Sequence, residues 1–252
     1  METPLKILTF FLIYSFLGWC IESIYKSILE KRLINSGFLF GPICPIYGFG
    51  AIIMYIFLED VSSKPVLTFC LGFVVLSIWE YSVGVFLEKV FHTKYWDYSN
   101  YKFNLQGRVC LLNSIFWGIL GMLFIDVINP IVTSMLYNID VGLIQYFDIM
   151  AYIILIADMT ISIINNFSIT EKLKYVEELN MSIKEKLEEI KSKGIGTEIG
   201  ESLQEALDEL NTKRDNIVQN SYERILRLKR AFPTLKSEQI SNFLKNREKK
   251  GE

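Results

Sequence analysis

Apolar residues form five long stretches over the first two thirds of the chain, roughly residues 4–28, 42–58, 65–88, 109–128 and 144–167. A helix of about 20 apolar residues crosses the hydrocarbon core of a bilayer, which is about 30 Å thick. Backbone polar groups need internal partners in lipid, and the ten-residue alternation of a β-barrel is absent, so these stretches predict helices. The predicted fold class is all-α, with a bundle of about five transmembrane helices.

The last third of the chain has a different pattern, because it carries 33 of the 54 charged residues. Apolar residues recur there at heptad spacing, at Ile169, Val176, Ile183 and Ile190, with Leu173, Asn180 and Leu187 at the second seam position. β-Branched residues at one seam position with Leu at the other favour a two-stranded coil, and Asn180 would fix its register. We therefore predict a transmembrane domain over residues 1–167 and a cytoplasmic helical tail over residues 168–252.

Two arrangements of this tail stay open. Gly194-Ile195-Gly196 interrupts the first helical run, and a second run ends near Phe232. The two runs either fold back as an antiparallel hairpin or form a coiled coil with another subunit, and the short glycine-rich link favours the hairpin.

Basic residues predict the orientation in the membrane. Seven Lys or Arg residues lie in the two loops after the first and third stretches, against two on the opposite side. By the positive-inside rule the N-terminus is outside, and the tail is in the cytoplasm. Four aromatic residues of the second loop fit an interfacial belt: Tyr95, Trp96, Tyr98 and Tyr101.

Polar residues inside the apolar stretches are the candidates for function, because buried charges in a bilayer face the protein interior or water. Glu80 is the deepest acid of the third stretch. Its helical face also carries Ser77, Gly84 and Glu88. Four residues are expected to converge near the cytoplasmic half of the bundle: Glu22, Glu80, Arg108 and Asn113. Arg108 would neutralise one carboxylate, leaving the other to bind a cation, a proton or a substrate amine; alternatively, a buried ion pair only fixes helix packing.

A further acid, Asp158, lies near the middle of the fifth stretch. It either lines a water-filled interior or pairs with Tyr152 or Ser162.

Residues 37–50 hold four glycines and two prolines, Pro42 and Pro45. Gly41, Pro42 and Pro45 allow a sharp re-entry of the chain, so the second helix is predicted to be kinked or partly re-entrant. Its N-terminus would hold an anion such as a lipid phosphate. The alternative is a tight turn between two helices.

Several chemistries are not indicated. No phosphate-binding loop, dinucleotide fingerprint or cysteine and histidine cluster occurs, and His92 is the single histidine, so we predict no enzyme, cofactor or metal site. A net charge of −2 argues against nucleic acid as a partner.

Three ordered motifs resemble the bacterial ABC-transporter permease family of the CmpB type. They are Tyr14-Ser-Phe-Leu-Gly-Trp-Cys-Ile-Glu22, the segment from Gly37 to Gly48, and Tyr95-Trp-Asp-Tyr-Ser99 with Phe103-Asn-Leu-Gln-Gly-Arg108. The resemblance covers roughly residues 8–165 and implies a multi-pass protein of the cytoplasmic membrane. The polar motif residues that carry over are Glu22, Asp97, Asn104 and Arg108, without assigned roles.

Two functions follow as hypotheses. The first is a permease subunit, a homo-oligomer working with a separate ATPase. The second is a membrane scaffold or lipid-responsive sensor whose tail recruits a cytoplasmic partner while its basic loops meet anionic headgroups.

Overall fold

The computed structural model describes residues 3–193 and 198–248, and most of them are helical, which confirms the all-α class. The helices are α1 (Thr3–Glu30), α2 (Pro45–Leu58), α3 (Pro65–Phe91), α4 (Leu111–Leu123), α5 (Asn129–Tyr137), α6 (Val141–Lys193), α7 (Glu198–Ala231) and α8 (Glu238–Glu248). A 3₁₀ turn (Glu59–Val61) follows α2, and a π-helical turn (Phe124–Ile128) joins α4 to α5. Two short antiparallel strands, β1 (Asn104–Leu105) and β2 (Val109–Cys110), precede α4.

Four helical segments of the described residues are long and apolar enough to cross a membrane: Leu5–Glu30, Pro65–Phe91, Leu111–Tyr137 and Val141–Ser192. Large apolar side chains on their outer faces are exposed, as lipid contact requires. The second predicted stretch differs, because α2 has only 14 residues. At 1.5 Å per residue α2 is about 21 Å long, short of the bilayer core.

The chain before α2 supplies the missing length. Residues 31–44, here called the extended segment, run antiparallel to α1 without helical structure. The Ile34 N–H donates to Ser27 Oγ (2.9 Å), and the Cys44 N–H donates to the Ser15 carbonyl (3.0 Å). The path from the end of α1 back to Ser15 is about 22 Å along the helix axis. The extended segment and α2 together therefore cover the length of a membrane crossing, about half of it extended and half helical.

Non-helical backbone at membrane depth needs polar partners, and side chains of α1 and α6 provide them. The Ser36 N–H donates to Ser23 Oγ (3.1 Å). The Phe40 and Gly41 N–H groups donate to the two carboxylate oxygens of Asp158 (3.0 and 2.7 Å). Asp158 thus holds the backbone of the extended segment, and it also accepts a hydrogen bond from Ser162.

Close helix contacts fix the remaining crossings. A Cβ at Gly48 of α2 would collide with Ser15 and Phe11 of α1, so the two helices are closer together here than any other residue would allow. A Cβ at Gly72 of α3 would lie 3.3 Å from the Trp117 carbonyl of α4. Small residues permit such approaches between membrane helices, where dispersion contacts replace the hydrophobic effect.

The π-helical turn before α5 has a local cause. Pro130 lies in the first turn of α5 and lacks a backbone N–H, so the preceding helical hydrogen-bond ladder cannot continue unchanged. The Tyr14 hydroxyl donates to Asn129 Oδ1 (2.9 Å) at this point. Phe10, Tyr14, Leu58, Leu76 and Phe124 form a buried cluster that joins α1, α2, α3 and the π turn.

The chain divides into two compact units. The first contains residues up to Ser162 together with Arg230–Lys236, and the second contains Ile163–Lys229 and the residues from Ser237 onward. In the second unit Ile183 and Ile190 of α6 pack with Leu203, Leu207 and Leu210 of α7, so both runs belong to one chain's own core. Asn180 is exposed, and the neighbouring Leu179 is buried. The predicted Gly194–Gly196 interruption lies outside the described residues.

Replacing Asp158 with alanine is expected to destabilise the membrane unit. Two backbone N–H groups would lose a charged acceptor, and hydrogen bonds to charged groups contribute about 1.5–3 kcal/mol each. Thermal unfolding of the purified protein in detergent should show a midpoint lower by about 6–12 °C. Thr160→Ala on the same helix is the control, because the Thr160 hydroxyl bonds only its own helix. Equal midpoints for both variants would contradict this role of Asp158.

Candidate functional site

Glu80 occupies the middle of the bundle, on the face of α3 that meets α4. It is 5% exposed. The Tyr98 hydroxyl donates to Oε1 (3.1 Å), and the Trp117 indole N–H donates to Oε2 (3.0 Å). The Asn113 side chain adds a third hydrogen bond. Among the residues that the structure describes, no Lys, Arg or His forms an ion pair with this carboxylate. Glu80 is therefore a buried acid that neutral donors hold.

The predicted polar face of α3 meets α4 and the α3–α4 loop (residues 92–110). The Ser77 hydroxyl donates to Ser114 Oγ of α4 (2.6 Å). A Cβ at Gly84 would lie 3.3 Å from Trp96 and 3.5 Å from the Arg108 side chain. The loop thus covers this face from Glu80 to Gly84, about one helical turn farther along α3.

Glu22 lies on α1 beside the start of α2, and its carboxylate forms an ion pair with Lys26. The Lys26 ammonium is 2.6 Å from Glu22 Oε1 and donates also to Ser36 Oγ (2.8 Å). The Cys44 Sγ is 3.8 Å from the other Glu22 oxygen. The two acids are thus in different states, one paired and one without a cation.

Tyr47 connects the surroundings of the two acids. It lies within electrostatic range of both Glu22 and Glu80. Its ring is 6.2 Å from the Trp117 ring, and a Cβ at Gly18 of α1 would collide with it. The first turn of α2 therefore places an aromatic residue near both carboxylates.

Arg108 does not neutralise either of these acids, contrary to the expectation from sequence. Its guanidinium pairs with Glu88 Oε2 (2.8 and 3.1 Å), contacts Gln106, and lies over the Tyr81 ring (5.6 Å). The reason is position: Arg108 leaves the loop level with the last turns of α3, where Glu88 lies. Of the four predicted residues, the structure brings Glu80 and Asn113 into direct contact. Glu22 lies near Tyr47, and Arg108 lies beside Glu88 of α3.

Asp97 and Asn104 order the α3–α4 loop. Asn104 Oδ1 accepts the Gly107 N–H (3.0 Å), and its amide donates to the Tyr101 carbonyl (2.8 Å). Gly107 has φ +68°, and a Cβ there would collide with Asp97, so this position requires glycine. Asp97 Oδ1 accepts hydrogen bonds from Ser99 Oγ (2.6 Å) and Lys94 Nζ (2.7 Å). The contacts of both motif residues lie within the loop and with residues 234–236.

The glycine and proline residues of the second motif shape the extended segment. Gly41 lies against Asp158, where a Cβ would be 2.9 Å from the carboxylate, and Pro45 is the first residue of α2. Pro42 is exposed between them. The start of α2 lies beside Ser15 in the middle of α1, and not at the end of α1 as expected for a site at the membrane surface.

Two of the three neutral donors, Tyr98 and Trp117, and the aromatic core of the loop were not predicted from the sequence. Tyr98 and Trp117 could have been considered as partners, because both have a hydrogen-bond donor on an aromatic ring. Both lie far from Glu80 in the sequence, however, so no local spacing indicates that they contact it. Tyr95 is 3% exposed and packs on Phe38 and Phe91. Its assignment to an interfacial aromatic belt is therefore wrong, because the ring is inside the protein.

No metal centre is visible in the described ranges, since no three His, Cys, Asp or Glu side chains come together there. Glu80 and Glu22 are carboxylates, and a buried ionised carboxylate needs a proton or a cation beside it.

The ion pairs of Asp97 give a pH prediction. Burial alone would raise the pKa of the Asp97 carboxyl, but hydrogen bonds from Lys236, Lys94 and Ser99 hold that pKa well below its usual range. A lowered pKa contributes stability that is present above the ordinary value, about 3.9, and is lost as the pH falls through the folded-state value. We expect Asp97→Asn to lower the unfolding midpoint by a constant amount between about pH 5 and pH 8. The difference should shrink below about pH 4.

Melting curves of wild type and Asp97→Asn across this pH range measure the difference. Asp60→Asn, at an exposed position, is the control. A difference that grows with acidification would contradict the assignment.

Comparison with known proteins agrees with the motifs. Residues 9–163 match the model of the family ABC_trans_CmpB, described as putative ABC-transporter type IV. No curated protein and no solved structure matches the chain. The family match covers more than half of the chain and nearly all of its apolar helices, which confirms the resemblance seen in the sequence. The chain is therefore a membrane protein that belongs to the CmpB-type ABC-transporter family.

Proposed function

We propose that the chain is the membrane-embedded subunit of an ABC-type transporter, that a separate ATPase subunit drives it, and that a positively charged species passes beside Glu80. The observation that carries the proposal is the surroundings of Glu80, a carboxylate buried in a membrane-spanning helix, whose hydrogen-bond donors among the described residues are all neutral.

A buried ionised carboxylate is costly unless a cation or a proton accompanies it. Tyr98, Trp117 and Asn113 hold the Glu80 oxygens in place without neutralising them. These features support a proton, a metal cation or an amine as the species that binds at Glu80.

Glu22 provides the second carboxylate of the proposed path. Its charge is balanced by Lys26, so it differs from Glu80 in having a cation already bound. A positively charged species moving from Glu80 towards Glu22 would pass Tyr47 and compete with the Lys26 ammonium. Arg108 and Glu88 form a separate ion pair nearer the end of α3.

The family match favours transport over the scaffold or sensor hypothesis. In this proposal the protein lies in the cytoplasmic membrane with its N-terminus outside and its tail in the cytoplasm, as the seven-to-two distribution of basic residues supports. The chain contributes too few helices to enclose a path alone, so it acts as a homo-oligomer. ATP hydrolysis belongs to the separate subunit, which docks on the basic loops or the tail.

The substitution Glu80→Gln tests the proposed role of the carboxylate. Glutamine keeps the shape and one carbonyl oxygen, which accepts from Trp117, and the Tyr98 hydroxyl can turn to accept from the new amide. The fold is therefore retained while the negative charge is lost. Transport-coupled ATPase activity of the complex in proteoliposomes should fall at least about tenfold, with unchanged abundance in the membrane.

Glu88→Gln is the matched control, because Glu88 lies two turns along the same helix and is 37% exposed at its ion pair with Arg108. It should retain activity within about twofold. If Glu80→Gln lowers the abundance of the protein instead of its activity, Glu80 serves only helix packing, and the assigned path is wrong.

Affinity purification tests the proposed ATPase partner. Affinity purification of the full chain from native membranes in mild detergent should recover an ATPase subunit in a fixed ratio, detected by mass spectrometry and ATP hydrolysis. Repeated purifications that recover the chain without any ATPase would overturn the proposed division of labour.

A further inference from the structure

Seven residues at and after the end of α7 belong to the membrane unit. This docking segment, Arg230–Lys236, consists of the last two residues of α7 and the five residues that follow them. Its Lys236 pairs with Lys94 of the α3–α4 loop in an isolated antiparallel bridge, with N–H to carbonyl distances of 2.9 and 2.8 Å. The Lys236 ammonium also pairs with Asp97, and the Asp97 N–H donates to Thr234 Oγ (3.2 Å).

An aromatic side chain anchors the same segment. The Phe232 ring lies 5.0 Å from the Tyr95 ring in an edge-to-face arrangement. Tyr95 in turn packs on Phe38 of the extended segment (5.7 Å). Ala231 and Leu235 are buried. The docking segment thus completes an aromatic cluster that includes the extended segment.

Lys26 connects this cluster to Glu22. Its ammonium donates to Glu22 (2.6 Å), to Ser36 Oγ (2.8 Å) and to the Ala231 carbonyl, and it lies 5.1 Å from the centre of the Phe232 ring. A lysine ammonium has three N–H donors, so all three are used. One of the three, together with the cation–π contact, depends on the docking segment.

We propose that Arg230–Lys236 is a releasable contact that couples the cytoplasmic tail to Glu22: when docked it fixes Lys26 on Glu22 and Ser36, and when released it frees this ammonium. The inference concerns the surroundings of Glu22 and does not depend on the proposed transport.

The contact is suited to release because it is short and four of its seven residues are exposed: Arg230, Pro233, Thr234 and Lys236. One bridge, the Phe232 anchor, the hydrogen bonds of Ala231 and Thr234 and the Lys236 ion pair hold it, and the Lys236 side chain is 65% exposed. Small regions held by few buried contacts open at much lower free energy than the whole protein. A ligand that binds the tail more tightly in one of the two states would shift the equilibrium between them.

Disulfide trapping tests the docked state in the full chain. Residues opposed in a hydrogen-bonded antiparallel pair have Cα atoms about 5.5 Å apart, within disulfide range. With the four native cysteines replaced by alanine, Lys94→Cys with Lys236→Cys should cross-link in membranes under mild oxidation. Lys102→Cys with Lys236→Cys is the control, because Lys102 is exposed on the same loop. Equal cross-linking of both pairs, or none, would overturn the docked geometry.

Alkylation of Cys44 tests the coupling. This thiol is 2% exposed and lies 3.8 Å from Glu22, so its reactivity reports on the surroundings of Glu22. With Cys20, Cys70 and Cys110 replaced by alanine, Phe232→Ala should speed alkylation by a small maleimide about fivefold, the factor for loss of one aromatic contact. Phe103→Ala, at an 81% exposed ring of the same loop, should leave the rate within about twofold.

Lys236→Pro provides a second way to release the segment, because it removes the bridge N–H and the ammonium at an exposed position. The Lys236→Pro variant replaces Phe232→Ala in this test if Phe232→Ala lowers the yield of folded protein. Faster Cys44 alkylation in either folded variant supports coupling. Unchanged alkylation after loss of docking, with docking followed by hydrogen exchange of the Lys94 amide, would show that the segment is only a structural attachment.

Discussion

Backbone hydrogen bonding inside lipid is the constraint on which the rest of this structure depends. The chain returns along α1 in extended form for half of its second crossing, and its N–H groups have no helix to satisfy them. Ser23 and Ser27 of α1 and Asp158 of α6 accept those bonds. This support sets the depth at which α2 begins, and that depth places Tyr47 near the two carboxylates of the candidate site.

The main helices could be predicted from sequence because apolar length alone decides what spans a bilayer. The boundaries could not, since α4 continues through the π turn to Tyr137 and α6 runs far beyond the predicted end at residue 167. Pro45, with the glycines around it, indicated an irregular second helix. The level at which it starts depends on Asp158, about 120 residues away, which no local pattern encodes.

The candidate site, too, could be predicted from sequence only where its geometry is local. Helical spacing was sufficient to place Glu80, Gly84 and Glu88 on one face, because that geometry is local. The partner of Arg108 depends on the tertiary structure, which places Arg108 beside Glu88 at the end of α3. The docking of residues 230–236 was beyond sequence reasoning, because one backbone bridge and one aromatic contact leave no periodic pattern.

The half-extended crossing is the central claim, and the sidedness of single cysteines tests it most directly. Leu33 and Ser62 flank the crossing in a chain otherwise free of cysteine, and Leu33 is 98% exposed. A membrane-impermeant maleimide applied to intact cells and to inverted vesicles should label Leu33→Cys and Ser62→Cys from opposite sides. Labelling of both from the same side would mean that residues 34–61 enter and leave through one membrane surface, and this account of the fold would be wrong.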